Sequence, residues 1–551
     1  MNRKFLIFFL GLILLFSFIL RFYKVNEIPP SLNWDEVSIA YNAYSILKTG
    51  KDEWGQFFPV HFKAYGEYKL PVQVYGSIPG ITIFGLNELG VRITPVVYGT
   101  LTVLIMFFLG QVLFRNNLVG LLSSFLLAIS PWHIQLTRAS YESSFALFWV
   151  ILGTWLLIKG FEDRKWFIWS MIPFAASVFT YNSARIFTPL FLMAVAIIYR
   201  HHLIKVKRTV LISMIVFTIL ILPLTPFLFG GERSARYKLV SITDDPGLIP
   251  RIEERRNNSI LPSPLTRLIH NRITYVSFYF TRNYLAHFTP DFLFINGAPH
   301  KQHHVQGMGQ LYWFQAPFLF LGFFLLFKKK NEFRWLIMSW ILLIYIPVSV
   351  TNDSIPHALR SAIATPVYQL LTAFGIYQAY LLIKNKKMLW QFLLWGIVVT
   401  IGLWQFISYL INYYTIYPKN YSRDWQYGYK QVLEYIRVHK DEYDEIVFTR
   451  HFGEPHMFTL FYLNYDPAKY QTDPNLVRFE TYDWVRVLRF DKYYFPDLGD
   501  RETQFADIVR DNPGEKLLFI GREGDFPKEM PRLLSIDFLN GDNAFDVVEV
   551  R

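Results

Sequence analysis

The chain has 551 residues, 52% of them hydrophobic and 18% aromatic, with a formal net charge of +12 and no cysteine. Without cysteine there are no disulfides, thiolate metal sites or cysteine nucleophiles. The excess positive charge sits in short tracts between long apolar blocks, which argues for a membrane protein with basic cytoplasmic loops and against a nucleic-acid partner.

A spanning helix needs about 20 mostly apolar residues. In chain order the candidate spans are Phe5–Arg21, Ile93–Leu113, Leu118–Ser130, Phe145–Leu157, Trp166–Phe179, Phe187–Tyr199, Val210–Phe229, Trp313–Phe327, Trp335–Val350, Ile363–Ile383 and Leu389–Tyr409. The first is expected to stay uncleaved, because its apolar run is long and ends in bulky residues instead of a small-residue cleavage site. With Met1 in the cytoplasm, the connections Phe114–Asn117, Lys159–Lys165, Arg200–Arg208, Lys328–Arg334 and Lys384–Lys387 all fall on the cytoplasmic face. Every short basic loop then obeys one orientation. The segments expected to face outward are the loop 23–92, the turns near 131–144 and 180–186, the loop 230–312, the turn near 351–361 and everything after about 411. The expected domains are a transmembrane domain over 1–410 and an extracytoplasmic one over 411–551.

The first outward loop opens with "PPSLNWDEVSIAYNAYSILKTGK" (Pro29–Lys51). After Asp35, the residues Val37, Ala40, Tyr41, Tyr44 and Leu47 recur at helical spacing, and Gly50 is a plausible stop. The pattern predicts an amphipathic helix along the membrane surface with Asp35 and Glu36 at its start. Carboxylates there are favoured by the helix dipole, so capping alone is one reading of the pair.

Further motifs follow along the chain: "AYGEYKLPVQVY" (Ala64–Tyr75), "ISPWHIQLTRASYESSFALFWV" (Ile129–Val150), "NYLAHFTPDFLF" (Asn283–Phe294) and "PHALRSAIATP" (Pro356–Pro366). A span followed by a long loop bearing "P…WDE", and then these motifs in order, resembles the GT-C membrane glycosyltransferases that use lipid-phosphate sugars. The nearest branches are the protein O-mannosyltransferases and the aminoarabinose transferases of lipid A. The likeness covers about residues 1–410. It implies an α-helical polytopic membrane protein of GT-C type with about 11 transmembrane helices. Asp35 matches the family's catalytic base and Glu36 the second acid of the mannosyltransferase pair. Glu67 and Lys69 match an "E-K-P-P" loop, although Tyr68 separates them and Leu70 replaces the first proline. Glu142 stands where an aspartate is usual. Pro356–Pro366 matches a phosphate-contacting segment in position and polarity only.

The implied chemistry is attack by an acceptor hydroxyl on the anomeric carbon of a polyprenyl-phosphate sugar, with inversion and loss of the lipid phosphate. A positioned carboxylate activates the hydroxyl by about 10²–10⁴-fold; Asp35 is the candidate. Fixed cations stabilise the leaving phosphate, and the candidates are Lys69, Arg138 and Arg360, with His357 as an added donor. Arg138 is also at i, i+4 helical spacing from Glu142, which would make it a salt-bridge partner. Glu67, Glu142 and His287 are supporting candidates. The histidines His287, His300, His303 and His304 match no tight zinc spacing. No cofactor is required on this reading, although a divalent metal completed by Glu67 is admissible. The partners are the lipid-linked donor, membrane lipids and a glycan, lipid or protein acceptor.

After about Asn412 the composition turns soluble. "DWQYGYKQVLEYIRVHK" (Asp424–Lys440) predicts a helix with Val432, Leu433 and Ile436 on one face. "DEIVFTR" (Asp444–Arg450) and "EKLLFIG" (Glu515–Gly521) predict buried strands, giving a small α/β domain. "DWQYG" superficially resembles the "WWDYG" of oligosaccharyltransferase catalytic subunits; an aromatic helix start explains it more simply. Two other functions fit a multi-span, aromatic-rich chain. One is a transporter or flippase of lipid-linked saccharides, disfavoured by the lack of a visible internal repeat. The other is a glycan polymerase or ligase using a diphosphate-linked donor.

Overall fold

The computed structural model describes residues 2–225, 240–481, 484–499 and 504–551. Helices occupy all eleven segments expected to span, from α1 (Arg3–Phe22) to Met388–Ile411. The end of the seventh segment, residues 226–229, lies outside the described residues. By length and apolarity, five helical stretches among the described residues are able to cross a bilayer: Arg3–Phe22, Glu88–Phe114, Glu142–Lys159, Lys207–Leu224 and Met388–Tyr421. Four shorter apolar helices accompany them: Asn117–Ala128, Asn182–Ile198, Gln315–Lys328 and Arg334–Ser349. The chain is thus a multi-pass membrane protein.

Two compact units are interleaved in sequence. One comprises Met1–Tyr23, Pro95–Thr137 and Tyr141–Ile411; the other comprises Lys24–Thr94, Arg138–Ser140 and Asn412–Arg551. Residues 24–94 therefore cluster with the tail. In the helical unit, packing depends on small residues at helix crossings, as is common where lipid removes the hydrophobic drive for association. Gly322 and Gly375 show this: a methyl on either would collide with the main chain of the facing helix, at Leu371 and Phe318 respectively.

The loop-and-tail unit is built on a seven-stranded mixed sheet. The first hairpin of the chain, β1 (Phe62–Ala64) and β2 (Glu67–Lys69), is separate from it. The sheet strands are β3 (Glu445–Phe448), β4 (Val477–Glu480), β5 (Val485–Phe490), β6 (Tyr493–Tyr494), β7 (Leu517–Gly521), β8 (Leu534–Asp537) and β9 (Asn543–Val550), in the order β4-β5-β6-β3-β7-β9-β8. The central strand β3 runs parallel to both β6 and β7. Strands buried on both faces read as continuous apolar runs, and "EIVF" and "LLFIG" are buried throughout. Successive side chains alternate between faces. Ile446, Phe448, Leu518 and Ile520 enter one core, whereas Val447, Leu517 and Phe519 enter the other. The expected tail helix forms over Tyr429–His439, with Val432, Leu433 and Ile436 buried.

The helix predicted after the first span exists as α2 (Trp34–Thr49), but it does not have one wet face. Val37, Ile39, Ala40, Tyr41, Ala43 and Ile46 join the core that includes Val432, Leu433, Phe458 and Phe461. Hydrophobic and small residues around most of its circumference explain the burial. An interior helix thus replaces the surface helix expected from the sequence. Another helix, α3 (Pro71–Phe84), follows β2 and starts at Pro71, where a missing N–H is harmless. The next helix is α4 (Glu88–Phe114).

Candidate active site

Asp35 and Glu36 are adjacent, yet their surroundings are opposite. Neighbours on a helix point about 100° apart, so one can face inward while the other faces a cleft. Asn33 caps α2 and, with Glu36, forms a capping box: the Asn33 side chain accepts from Glu36 N, and Glu36 Oε2 accepts from Asn33 N. This puts Asp35 in the first turn. Its side chain is 36% exposed, and its Oδ1 lies 2.7 Å from Lys69 Nζ. Glu36 is fully buried. Both of its oxygens take hydrogen bonds from the Arg92 guanidinium at 3.1 Å, and Oε1 also accepts from Ser140 N at 3.0 Å. Arg92 further donates to the carbonyls of Val25, Pro29 and Ser31. Glu36, expected as a second catalytic acid, therefore has the geometry of an internal brace.

Lys69 is almost completely buried and lies between two carboxylates, with Glu67 Oε1 at 2.5 Å on the other side. The intervening Tyr68 is no obstacle, because Glu67 and Lys69 sit on a strand where residues two apart share a face. The turn before that strand contains Tyr65 in the left-handed region, with φ of +42°. Its hydroxyl donates to Trp34 O at 2.9 Å. Burial, followed by the fields of Glu454, Asp35 and Glu53, pushes the Tyr65 hydroxyl well above its usual value.

Arg138 belongs to the same unit and is fully buried. It donates to Ile28 O at 2.9 Å and to Tyr414 Oη at 3.2 Å, and its guanidinium lies over the Tyr413 and Tyr414 rings. It occupies a turn between helices Pro131–Leu136 and Glu142–Lys159, so helical i, i+4 spacing to Glu142 does not apply. Glu142 opens its helix and lies in the field of Arg185.

The remaining candidates gather in the helical unit. His287 Nδ1 donates to Asn283 O at 2.8 Å, which leaves Nε2 to accept from His357 N at 3.0 Å. His357 Nδ1 in turn accepts from Arg360 N at 3.2 Å, which assigns the ring proton of His357 to Nε2. Burial holds His287 down to about 4. Burial, then Arg360 and the neighbouring histidines, holds His357 well below its ordinary value. Arg360 donates to Thr351 Oγ1 and to Asp353 Oδ2, both at 2.8 Å. His300 and His303 stack at 3.7 Å, each within 6 Å of the His357 ring. His304 instead faces the carbonyls of Asn296 and Met308. Among the described residues no group of three or more His, Asp or Glu is arranged to hold a metal.

Several contributors were not visible in the motifs. Gln426, in the "DWQYG" stretch, accepts from Trp34 N at 2.8 Å, and its amide donates to Phe452 O at 2.7 Å. Gly453, at φ +130°, lets the chain pass so close that a methyl there would strike Trp34 and Gln426. Trp425 is buried and donates to Tyr417 Oη at 2.8 Å. The one available signal was Arg92: an arginine at the start of an apolar span is costly unless it has a partner.

Residues 76–227 match the family model described as dolichyl-phosphate-mannose-protein mannosyltransferase. No curated protein sequence matches the chain. The structure of ArnT from Cupriavidus metallidurans bound to undecaprenyl phosphate is similar at TM-score 0.59 and 10% identity, covering 100% of this chain and 98% of that one. The apo state of the same protein gives TM-score 0.55 at 10% identity, over 99% and 98%. An archaeal oligosaccharyltransferase, AglB from Archaeoglobus fulgidus, in complex with an inhibitory peptide and a dolichol-phosphate, gives 0.49 at 13% identity, over 83% and 63%. The chain is a multi-pass membrane protein that shares the GT-C fold of ArnT, and its residues 76–227 match a family of glycosyltransferases.

Proposed function

We propose that the protein transfers one monosaccharide from a polyprenyl-phosphate donor to an acceptor hydroxyl on the extracytoplasmic face, with inversion at the anomeric carbon. The observation that carries this reading is the division of labour at the start of α2. Glu36 is locked inside by Arg92, which leaves Asp35 as the partly exposed carboxylate, aimed by Lys69. Asp35 takes the proton of the acceptor hydroxyl. The oxygen so activated bonds to the anomeric carbon while the bond to the phosphate oxygen breaks, and the electron pair leaves on the lipid phosphate. No covalent sugar–enzyme intermediate and no cofactor is needed.

In this scheme Glu36 and Arg92 position the base and do not touch the substrate. Lys69 and Arg138 in the loop-and-tail unit are the candidates to supply positive charge for the leaving phosphate, and in the helical unit the candidates are Arg360 and the Nε2–H of His357. A buried cation preorganised toward developing charge is typically the largest single catalytic contribution. Support comes from the family match over residues 76–227 and from the fold shared with a protein solved with undecaprenyl phosphate. The basic loops favour a cytoplasmic N-terminus and an extracytoplasmic tail.

The test is incubation of purified protein in lipid with radiolabelled polyprenyl-phosphate sugars, comparing wild type with Asp35→Asn. Transfer is expected to fall by about 10²–10⁴-fold. A variant within about threefold of wild type would end the base assignment. A transporter of lipid-linked saccharides would instead keep moving its substrate in the variant.

A further inference from the structure

Beside the proposed base, the first loop and the tail together contribute a group of side chains that the transfer scheme does not use. Trp34, Tyr65 and Trp484 form an aromatic cluster: Tyr65 and Trp484 stack at 5.7 Å with an interplanar angle of 10°, and Trp34 meets Trp484 edge-on at 6.2 Å. Trp34 and Trp484 are both partly exposed. Trp484 Nε1 donates to Glu454 Oε1 at 2.5 Å. Glu454 is only 5% exposed. Its other oxygen accepts no hydrogen bond among the described residues, although His456 Nδ1 lies 3.4 Å away. A second buried atom without a partner, Arg450 Nη1, sits on the same turn; the rest of that guanidinium grips Asp497. Burying a polar atom without a partner costs stability, and these two lie beside the aromatic cluster's own hydrogen bond to Glu454. Here one is an acceptor and the other a donor.

We infer that this cluster is an acceptor subsite for a hydroxyl-rich saccharide; the inference rests on the transferase reading above. A sugar hydroxyl both donates and accepts, so neighbouring hydroxyls satisfy Glu454 Oε2 and Arg450 Nη1 together. The apolar C–H face of the ring packs on the indoles, as aromatic side chains with a polar rim allow. The Tyr65 hydroxyl ties the cluster to the start of α2, since it donates to Trp34 O at 2.9 Å and Trp34 immediately precedes Asp35. A saccharide held on Trp484 therefore presents its next hydroxyl near Asp35. A peptide acceptor would be read mainly through main-chain bonds along a strand edge. The unmatched atoms here belong to side chains, Glu454 bonded to the Trp484 indole and Arg450 lying over the Phe479 ring.

The experiment is saturation-transfer NMR on the full chain in detergent, with α-mannose, β-glucose and β-galactose tetrasaccharides and with a serine/threonine-rich peptide as probes. Undecaprenyl phosphate binding is measured in parallel. At least one saccharide is expected to bind the wild type. Its affinity should drop at least about tenfold in Trp484→Ala and, with the fold disturbed less, in Glu454→Gln. Undecaprenyl phosphate binding should stay within about twofold in both variants. Saccharide binding that survives both substitutions, or a peptide that binds where no saccharide does, overturns the subsite. If the wild type binds saccharide through Trp484 but takes no undecaprenyl phosphate, the subsite stands and the donor reading falls.

Discussion

The loop-and-tail unit and the helical unit handle charge in different ways. Around Asp35 the charges alternate: Asp35, Lys69 and Glu67 in one row, Glu36 and Arg92 in another. Around His357 the groups are imidazoles that burial keeps neutral, and Arg360 bonded to Asp353 supplies the charge. A proton acceptor needs a carboxylate held by cations. An anion-binding pocket can use neutral N–H donors with one fixed cation, because buried charges demand partners. Both clusters hold a partly exposed carboxylate bonded to a buried cation, Asp35 to Lys69 and Asp353 to Arg360, but only the second is lined by imidazoles.

The strongest way to break this contrast is to remove the internal brace. Arg92→Met leaves Glu36 buried and uncompensated, at a cost of about 3–5 kcal/mol. The thermal midpoint of the purified chain should fall accordingly, and the double variant Glu36→Leu/Arg92→Met should recover most of the loss. Next comes the aim of the base. Lys69→Met is expected to lower kcat by about 10² with a smaller change in KM, and Lys69→Arg should recover part of it. In the helical unit, His357→Gln should raise the KM for the donor by about tenfold. Because His357 is held far below its usual pKa, the donor KM of the wild type should show no step near pH 6.5; such a step would place a charged imidazole in the pocket.

The smallest effect sharpens the electrostatic picture. Burial raises Glu53 to about 7, against the partial relief of Arg478 and Asn42. The folded carboxyl therefore binds its proton more tightly than the unfolded one. Stability is greatest below about pH 4.5, falls as pH rises toward 7, and levels off above. Glu53→Gln should match the wild type near pH 4.5 and exceed it at pH 8 by about 1–3 kcal/mol, read from thermal unfolding at the two values.

Apolar helices were legible because length and apolarity are local properties: helices occupy the eleven expected segments, and among the described residues five of these stretches are long and apolar enough to cross a bilayer. The tail strands were legible for the same reason: a short apolar run bounded by charges leaves few alternatives. The motif residues also gathered as clusters, with Asp35, Glu67 and Lys69 in one unit and His287, His357 and Arg360 in the other. The partners were not legible. The difference between Asp35 and Glu36 is set by Arg92, and the support for Trp34 comes from Gln426, hundreds of residues away. The surface placement expected of α2 failed because its pattern of small and aromatic residues suits a buried helix as well as a half-wet one. Only the tail, folding over it, decides between them.

The contact between Trp34 N and Gln426, made possible by the bare α-carbon of Gly453, has a consequence for biogenesis. The ribosome delivers Trp34, the start of α2, 392 residues before Gln426. Until Gln426 arrives, the main-chain N–H of Trp34 lacks its partner, and the first turn of α2 depends on its other contacts, the Asn33 cap and Lys69 among them. Closing so distant a loop is slow, so the start of α2 gains this anchor late in synthesis.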